Sequence, residues 1–315
     1  MSMRLVQITI FCLIVTGVSR AKVFTYTSFH YPGAFATFAN GIDDAGEIVG
    51  AYQTDSNCNP QYLPVPNCTT HGFIYLNGSF TAYDVRGSIS TDITGINDYG
   101  DIVGIYTSRD NKVHGFLRQH DGSFQTLDEK NQSNLTTVPM GVNKSLTVAG
   151  MLYSIFGQNP SSGFVWSKGK FTVTGATFDG GYRGISNNGM VAGQIFGHDF
   201  WDGYLKSGTD HDVFVFHRDS YFSGVNDRGD IVRVSGPTSY FAGRVEANEA
   251  ADDKEVKPKY IPIVFPGAGF TFANAINAND VIVGSWNYTA GGCACGFVAV
   301  PKKSSATRAE WYLRQ

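Results

Sequence analysis

GINDYGDIVG, residues 95–104, is one of six related decamers in this chain. Successive decamers start 54, 46, 43, 40 and 51 residues apart. Repeats of about 40–50 residues are typical of propeller blades and of the longer solenoid units. The chain is therefore built from six repeats. The other five decamers are GIDDAGEIVG from Gly41, GVNKSLTVAG from Gly141, GISNNGMVAG from Gly184, GVNDRGDIVR from Gly224 and AINANDVIVG from Ala275.

Each decamer is predicted to form two strand ends joined by a tight turn. Residues 97–100 are the polar turn, and Ile102 and Val103 start the second strand. Gly100 provides the left-handed backbone conformation that such a turn requires. An aspartate recurs at the fourth position of the decamer, where we expect its side chain to cap its own turn. The positions are Asp44, Asp98 and Asp227.

Two further strands follow each decamer. The third strand opens with a glycine and an aromatic residue, as in His71-Gly72-Phe73, and a turn at Asp121-Gly122 leads to a fourth strand over 123–128. Four short antiparallel strands per repeat are typical of a propeller blade. A parallel solenoid would not place hairpin turns between successive strands. We therefore predict an all-β fold, a six-bladed β-propeller of four-stranded antiparallel blades.

The two ends of the chain predict how the ring closes. The sixth repeat stops after its third strand, while residues 23–29 form an isolated strand at the beginning. The sequence YPGA at 31–34 matches FPGA at 265–268, which follows the fourth strand of repeat five. We expect the N-terminal strand to complete the last blade, which protects both edges. The predicted domains are a signal peptide over 1–21, a single β-propeller domain over 22–301 and a polar tail over 302–315, with 246–259 inserted between the third and fourth strands of blade five.

The first 21 residues have the pattern of a secretory signal peptide. Arg4 precedes an apolar run from Leu5 to Val18, and small residues flank the predicted cleavage site after Ala21. The run is shorter than the roughly 20 residues that span a bilayer, so no membrane insertion is predicted. The protein is therefore expected to be secreted and extracellular.

Cysteines and sequons agree with that compartment. We predict two disulfides, with the local pair Cys58–Cys68 preferred over pairing between repeats one and six. The cysteines are Cys58, Cys68, Cys293 and Cys295. Glycosylation is predicted at Asn67, Asn77, Asn131, Asn134, Asn143 and Asn287. The formal net charge of −3, without clusters of lysine and arginine, argues against a nucleic-acid partner.

The recurring pattern G-I-N-D-x-G-x-I-V-G, followed by H-G-F and x-G-x-F-T, resembles the HAF-type extracellular repeat family over nearly the whole chain. That family is recognised by its repeat rather than by a shared catalytic constellation. The resemblance therefore implies a secreted, β-propeller-like protein and leaves its activity open.

Aromatic residues near the loops between second and third strands are the best functional signal. Exposed rings on one face of a propeller can stack on sugar rings or on a partner's apolar groups. The competing interpretation is that these rings pack between blades. The candidate binding residues of this kind are Tyr52, Tyr106, Trp201 and Trp286.

His71 and His114 occupy equivalent positions and are further binding candidates. A symmetric metal site is not predicted, and the competing interpretation is a hydrogen bond at the start of a strand. The same position in the other repeats is assigned to Ser162, Asp202, Ala242 and Cys295.

Residues 197–203 are predicted to be a loop that brings His198, Asp199 and Asp202 together as weak catalytic candidates. No nucleophile elbow, zinc-protease helix, phosphate loop or calcium loop occurs in the sequence, and no cofactor or metal is predicted. The leading hypothesis is a secreted, non-enzymatic binding protein whose aromatic loop face engages a glycan or an extracellular protein. One alternative is an extracellular carbohydrate-active hydrolase or lyase with carboxylates near the channel mouth, and another is a secreted effector that acts on a host.

Overall fold

A computed structural model describes residues 23–55, 69–130, 135–154, 160–173, 180–197, 200–206, 219–243, 259–288 and 294–302. These ranges form six antiparallel sheets, and no helix occurs within them. A helix able to cross a membrane is accordingly not found in these ranges. Each repeat forms one sheet, so the predicted six-bladed β-propeller is confirmed.

The strands follow the chain from blade to blade. Blade 1 contains β2 (Ala36–Ile42), β3 (Ile48–Gln53), β4 (Thr70–Leu76) and β5 (Ser79–Tyr83). Blade 2 contains β6 (Ser90–Ile96), β7 (Ile102–Thr107), β8 (Val113–Arg118) and β9 (Phe124–Leu127). Blade 3 contains β10 (Leu135–Val142), β11 (Val148–Ser154), β12 (Pro160–Ser167) and β13 (Lys170–Val173).

Blade 4 has three strands within the described ranges: β14 (Gly180–Ile185), β15 (Val191–Gly197) and β16 (Phe200–Lys206). Blade 5 contains β17 (Tyr221–Val225), β18 (Ile231–Ser235), β19 (Thr238–Ala242) and β20 (Ile261–Ile263). Blade 6 contains β21 (Phe270–Ile276), β22 (Ile282–Asn287), β23 (Cys295–Pro301) and β1 (Phe24–Phe29).

The meander gives the ring two different faces. The decamer turns lie on one face, which we call the turn face. The loops between second and third strands and the links between blades lie on the opposite face, which we call the loop face. The hydrophobic core lies between adjacent blades, as where Val49 of blade 1 packs with Ile93, Ile102 and Phe116 of blade 2.

The first strand of each blade lies innermost, and these strands come close together around the axis. The first residue of the decamer lies at this close approach and is therefore small. A Cβ atom on Gly41 would lie 3.1 Å from Cα of Gly95, and one on Gly95 would lie 3.0 Å from Cα of Gly141. Each innermost strand also carries a β-bulge just before this position. Side chains of the bulged residues bond to the next blade: Asn40 to the carbonyl of Ile93, Thr94 to Pro139, Ser223 to Ala273 and Asn274 to Ala39.

The N-terminal strand closes the ring as predicted. β1 pairs with β23 along its whole length, from Phe24 opposite Pro301 to Phe29 opposite Gly296. The amide of Lys302 extends this pairing with a hydrogen bond of 2.7 Å to the carbonyl oxygen of Val23. The first and last strands of the described chain therefore share one blade.

The predicted position of the third strand in blade 5 needs correction. In blade 5 Arg233 pairs with Tyr240, so the residue equivalent to His71 is Thr238 rather than Ala242. The inserted segment does lie between the third and fourth strands of that blade, β19 and β20, although its residues up to 258 lie outside the described ranges.

Residues 200–203 are strand rather than loop. Phe200 pairs with Gly197, and Asp202 pairs with Ile195 in the third strand of blade 4. His198 and Asp199 lie outside the described ranges. Because the third strand stands away from the axis, Asp202 does not line the channel mouth.

Candidate functional site

The third residue of the decamer has two structural roles. Oδ1 of Asn97 accepts hydrogen bonds of 3.0 Å from the amides of Tyr99 and Asp101, so this side chain caps its own turn. Its Nδ2 donates to the carbonyl oxygen of Asn143 in the next blade. The link recurs from Asn143 to Ser186, from Asn226 to Asn277 and from Asn277 to Asp43.

The fourth residue acts differently from the prediction. Oδ1 of Asp98 accepts a hydrogen bond of 2.8 Å from the amide of Asp44 in the preceding blade. Oδ1 of Asp44 accepts from the amide of Ala278, and Oδ1 of Asp227 from the amide of Asn187. The prediction that these aspartates cap their own turns is therefore wrong, because each one joins two blades.

Together these turns form a depression on the axis of the turn face. Its empty volume, including space open to solvent, is about 380 Å³. Asp98 on its rim bonds to Nζ of Lys144 at 2.8 Å and to Nδ2 of Asn187 at 3.2 Å. The aliphatic side chains that line it come from all six blades: Ile42, Ile96, Val142, Ile185, Val225 and Ile276.

The carboxylates on the rim form hydrogen bonds that join neighbouring blades. Burial alone would raise the pKa of Asp98, but hydrogen bonds from Lys144, the Asp44 amide and Asn187 outweigh burial and lower it. Within the described ranges, no group of three or more His, Cys, Asp or Glu side chains has the arrangement of a metal site. We therefore place the candidate functional site on the loop face.

In blade 1 the structure brings together two predicted binding residues. The rings of Tyr52 and His71 stack with centroids 5.2 Å apart, and Tyr31 stacks on the other face of Tyr52 at 3.6 Å. Nδ1 of His71 lies 2.8 Å from Oδ2 of Asp84. The imidazole is thus fixed by an aromatic ring and a carboxylate.

Blade 2 repeats this geometry. The rings of Tyr106 and His114 stack with centroids 5.1 Å apart, and the interplanar angle of 28° equals that in blade 1. Nδ1 of His114 lies 2.7 Å from Oδ2 of Asp128. The histidine side chains remain 31% exposed in blade 1 and 23% in blade 2. We call these two arrangements the Tyr–His–Asp clusters and treat them as the candidate site.

The predicted aromatic residues lie mostly inside the protein. Tyr52 is 9% exposed and Trp286 is 7% exposed. Trp286 stacks on Phe265 at 4.3 Å and donates from Nε1 to Oγ of Ser28 at 2.9 Å. These two residues therefore pack between neighbouring segments rather than forming an exposed platform. Tyr106 is half-buried, and the side chain of Trp201 lies outside the description.

The predicted modification sites are only partly described. Asn143 is 4% exposed and uses its side-chain nitrogen in a blade-to-blade hydrogen bond, so it is not accessible for glycosylation in the folded ring. Asn77 lies exposed in a turn, and Asn287 is half-buried. Cys295 is half-buried in β23. The remaining predicted positions fall outside the described ranges: Asn67, Asn131, Asn134, Cys58, Cys68 and Cys293.

Asp84 and Asp128 are site residues that sequence reasoning missed. Each follows the fourth strand of its blade, 13 residues after His71 and 14 residues after His114. The near-equal spacing was a usable signal, because in a four-stranded meander the start of the third strand and the end of the fourth lie side by side.

Comparison with known proteins finds distant similarity to two solved structures. No protein-family model and no curated protein matches the chain. A solved structure of the SapL1 lectin in complex with alpha methyl fucoside aligns with a TM-score of 0.43 and 11% identity, covering 86% of this chain and 94% of that chain. The β-propeller domain of the Trilobed protease from Pyrococcus furiosus aligns with a TM-score of 0.42 and 10% identity, covering 86% and 99%. At this level of similarity neither protein informs what this chain binds.

Proposed function

We propose that this protein is a secreted glycan-binding protein that does not cleave its glycan ligand and uses the two Tyr–His–Asp clusters as subsites. The observation that carries the proposal is the repetition of one polar, preorganised cluster in two adjacent blades. Its members are Tyr52, His71 and Asp84 in blade 1, and Tyr106, His114 and Asp128 in blade 2.

The chemistry of each cluster suits sugar hydroxyl groups. A hydroxyl both donates and accepts hydrogen bonds, so it can donate to a carboxylate oxygen and bond to an imidazole nitrogen at the same time. In blade 1 the carboxylate is exposed and the imidazole partly exposed, so both are open to a ligand. Tyrosine stacking and the Nδ1–carboxylate contact hold the imidazole before a ligand arrives, which reduces the entropy lost on binding.

Two subsites on neighbouring blades favour a repeating ligand. A polymer that occupies the first subsite presents its next units to the second at a high effective concentration. We therefore expect polysaccharides to bind more tightly than the corresponding monosaccharides. An extracellular protein is the other candidate partner, and a binding experiment distinguishes it from a glycan.

The test is binding of the purified mature protein to a panel of soluble and insoluble polysaccharides, with both protein depletion and released sugar recorded. Depletion without sugar release is the expected result. The single variants His71→Gln and His114→Gln should each weaken binding about 10-fold, and the double variant more, because one hydrogen bond to a ligand is worth roughly 1–2 kcal/mol.

His120→Gln is the matched control. His120 also faces a carboxylate, with Nδ1 2.9 Å from Oδ1 of Asp101, but it lies in a β8–β9 turn on the turn face. Equal loss of binding in this variant would contradict the proposed site. Release of soluble sugar would contradict glycan binding without cleavage, and capture of a protein with no glycan binding would replace the glycan by a protein partner.

A further inference from the structure

In blade 2, the hydroxyl group of Ser108 extends the Tyr–His–Asp cluster to a serine–histidine–aspartate arrangement. Oγ of Ser108 lies 3.2 Å from Nε2 of His114, whose Nδ1 lies 2.7 Å from Oδ2 of Asp128. Ser108 follows β7 directly, and the corresponding residue after β3 in blade 1 is Thr54. The two clusters therefore differ at this position of the loop face.

We propose that Ser108, His114 and Asp128 act as nucleophile, general base and orienting carboxylate in the hydrolysis of short-chain carboxylic esters. A serine, a histidine and an aspartate in this order of contacts are recognised by their geometry, whatever their sequence order or fold. This activity adds to the binding function at one cluster and does not depend on glycan recognition.

The reaction balances without a cofactor. Oγ of Ser108 attacks the ester carbonyl carbon while its proton passes to Nε2 of His114, and the bond to the alkoxy oxygen breaks as Nε2 returns that proton to the leaving alcohol. Water then attacks the acyl-serine, giving its proton to Nε2. The C–Oγ bond breaks, Oγ takes the proton back, and the carboxylic acid is released.

Ser108 has two other hydrogen-bond partners, and their chemistry favours the histidine as the base. Its Oγ lies 2.5 Å from Oδ1 of Asp110 and 3.1 Å from the carbonyl oxygen of Lys112. Hydrogen bonds from Lys112 and Ser108 lower the pKa of Asp110 to about 2, so this carboxylate is a poor proton acceptor at neutral pH. Imidazole is the general base most often used in that range.

The turn also supplies a donor for the developing oxyanion. In acyl-transfer enzymes the amide of the residue after the nucleophile often stabilises that charge. Here that residue is Arg109, whose amide donates to none of the described residues, whereas the neighbouring amide of Asn111 is used by the carbonyl oxygen of Ser108. The turn is exposed, which favours small acyl groups over long acyl chains.

The first experiment treats the purified protein with a fluorophosphonate probe and maps the labelled peptide, with hydrolysis of p-nitrophenyl acetate measured in parallel. We expect one label, on Ser108. Ser108→Ala should abolish labelling, and His114→Gln should lower ester hydrolysis at least about 100-fold, the usual contribution of general-base catalysis.

Three variants make the result decisive. Ser123→Ala removes another serine of blade 2, and His120→Gln removes a histidine of the turn face; both should label normally. Asp110→Asn should raise the rate of labelling, because it replaces a charged acceptor of the hydroxyl proton with a weaker, neutral one. Absence of labelling in both the wild-type protein and Asp110→Asn, or unchanged hydrolysis in Ser108→Ala, would overturn the proposal. Neither result would affect glycan binding at His71.

Discussion

Nδ2 of Asn277 donates a hydrogen bond of 2.9 Å to the carbonyl oxygen of Asp43, which joins the turn of blade 6 to the turn of blade 1. Oδ1 of the same side chain caps its own turn by accepting from the amides of Asn279 and Val281. One buried asparagine therefore stabilises a hairpin and closes the ring.

These two roles can be separated by substitution. Asn277→Asp keeps the capping oxygen but loses the donor to Asp43, and we expect it to cost about 1–3 kcal/mol of the free energy of unfolding. Asn277→Ala loses both roles and should cost more. Urea denaturation measures both, with Gln125→Ala as an exposed control. Equal stability of Asn277→Asp and the wild-type protein would contradict the closing role.

Gly104 is predicted to tolerate no side chain. A Cβ atom there would lie 2.1 Å from the carbonyl oxygen of Asp92 and 2.8 Å from the ring of Phe116. Gly104→Ala should destabilise the protein by at least about 3 kcal/mol, because backbone has to move. Gly122→Ala is the control: its Cβ meets open space, and only a left-handed backbone costs it about 1–2 kcal/mol. Similar thermal midpoints for the two variants would contradict this account.

Asp92 should make stability depend on pH. Burial raises the pKa of this carboxyl to about 7, against a smaller opposite effect of the hydrogen bond from Asn40. Because the folded-state pKa lies above the unfolded value, the unfolded chain releases this proton first as pH rises. The free energy of unfolding should therefore fall between about pH 4 and pH 7 and level off above.

Asp92→Asn tests that assignment. The amide oxygen can still accept from Asn40, and the titrating group is gone, so the variant should lose this pH dependence and gain stability at pH 8 of the order of a few kcal/mol. Denaturation curves from pH 4 to pH 8 measure the difference. Asp110→Asn, at an exposed carboxylate, is the comparison, and an identical change of slope in both variants would sink the assignment to Asp92.

Trp286 and Tyr288 separate packing from exposure at one place on the loop face. Trp286 is buried against Phe265, whereas Tyr288 touches its edge at a centroid distance of 4.8 Å and is 70% exposed. Trp286→Ala should cost about 3–5 kcal/mol, and Trp286→Phe less. Tyr288→Ala should change the thermal midpoint little. A stable Trp286→Ala protein would show that the ring is dispensable for packing.

The hairpin in each decamer was predictable because its signals are local. The turn glycine, the apolar strand and the missing fourth strand of repeat six all follow from periodicity and from the need to protect strand edges. The residue that caps the turn was assigned wrongly. Asp98 and Asn97 are both good capping residues, and only the position of the next blade decides that Asn97 caps the turn while Asp98 bonds outward.

The errors in blades 4 and 5 have one physical cause. The turns before these third strands are very short: β18 and β19 are joined by Gly236 and Pro237 alone, and β15 pairs with β16 up to Phe200. A short turn moves the third strand earlier in the sequence. Thr238 then takes the place expected of Ala242, and Phe200 and Trp201 become part of a strand.

The candidate site was predictable in part. His71, His114, Tyr52 and Tyr106 were selected because they recur, and the structure pairs each histidine with the tyrosine of its own blade. The carboxylates that fix the imidazoles were not found, because they belong to the far end of the fourth strand. Their contact depends on tertiary pairing within the blade.

Pairing of β1 with β23 has a consequence for how the protein is made. β1 leaves the ribosome before every other strand of the described chain, yet its only partner strand is the last one. Until β23 emerges, β1 and the open edge of blade 6 have no native partner, and exposed edges of this kind are prone to pair with other chains. The native ring can therefore be completed only after the last strand has been synthesised.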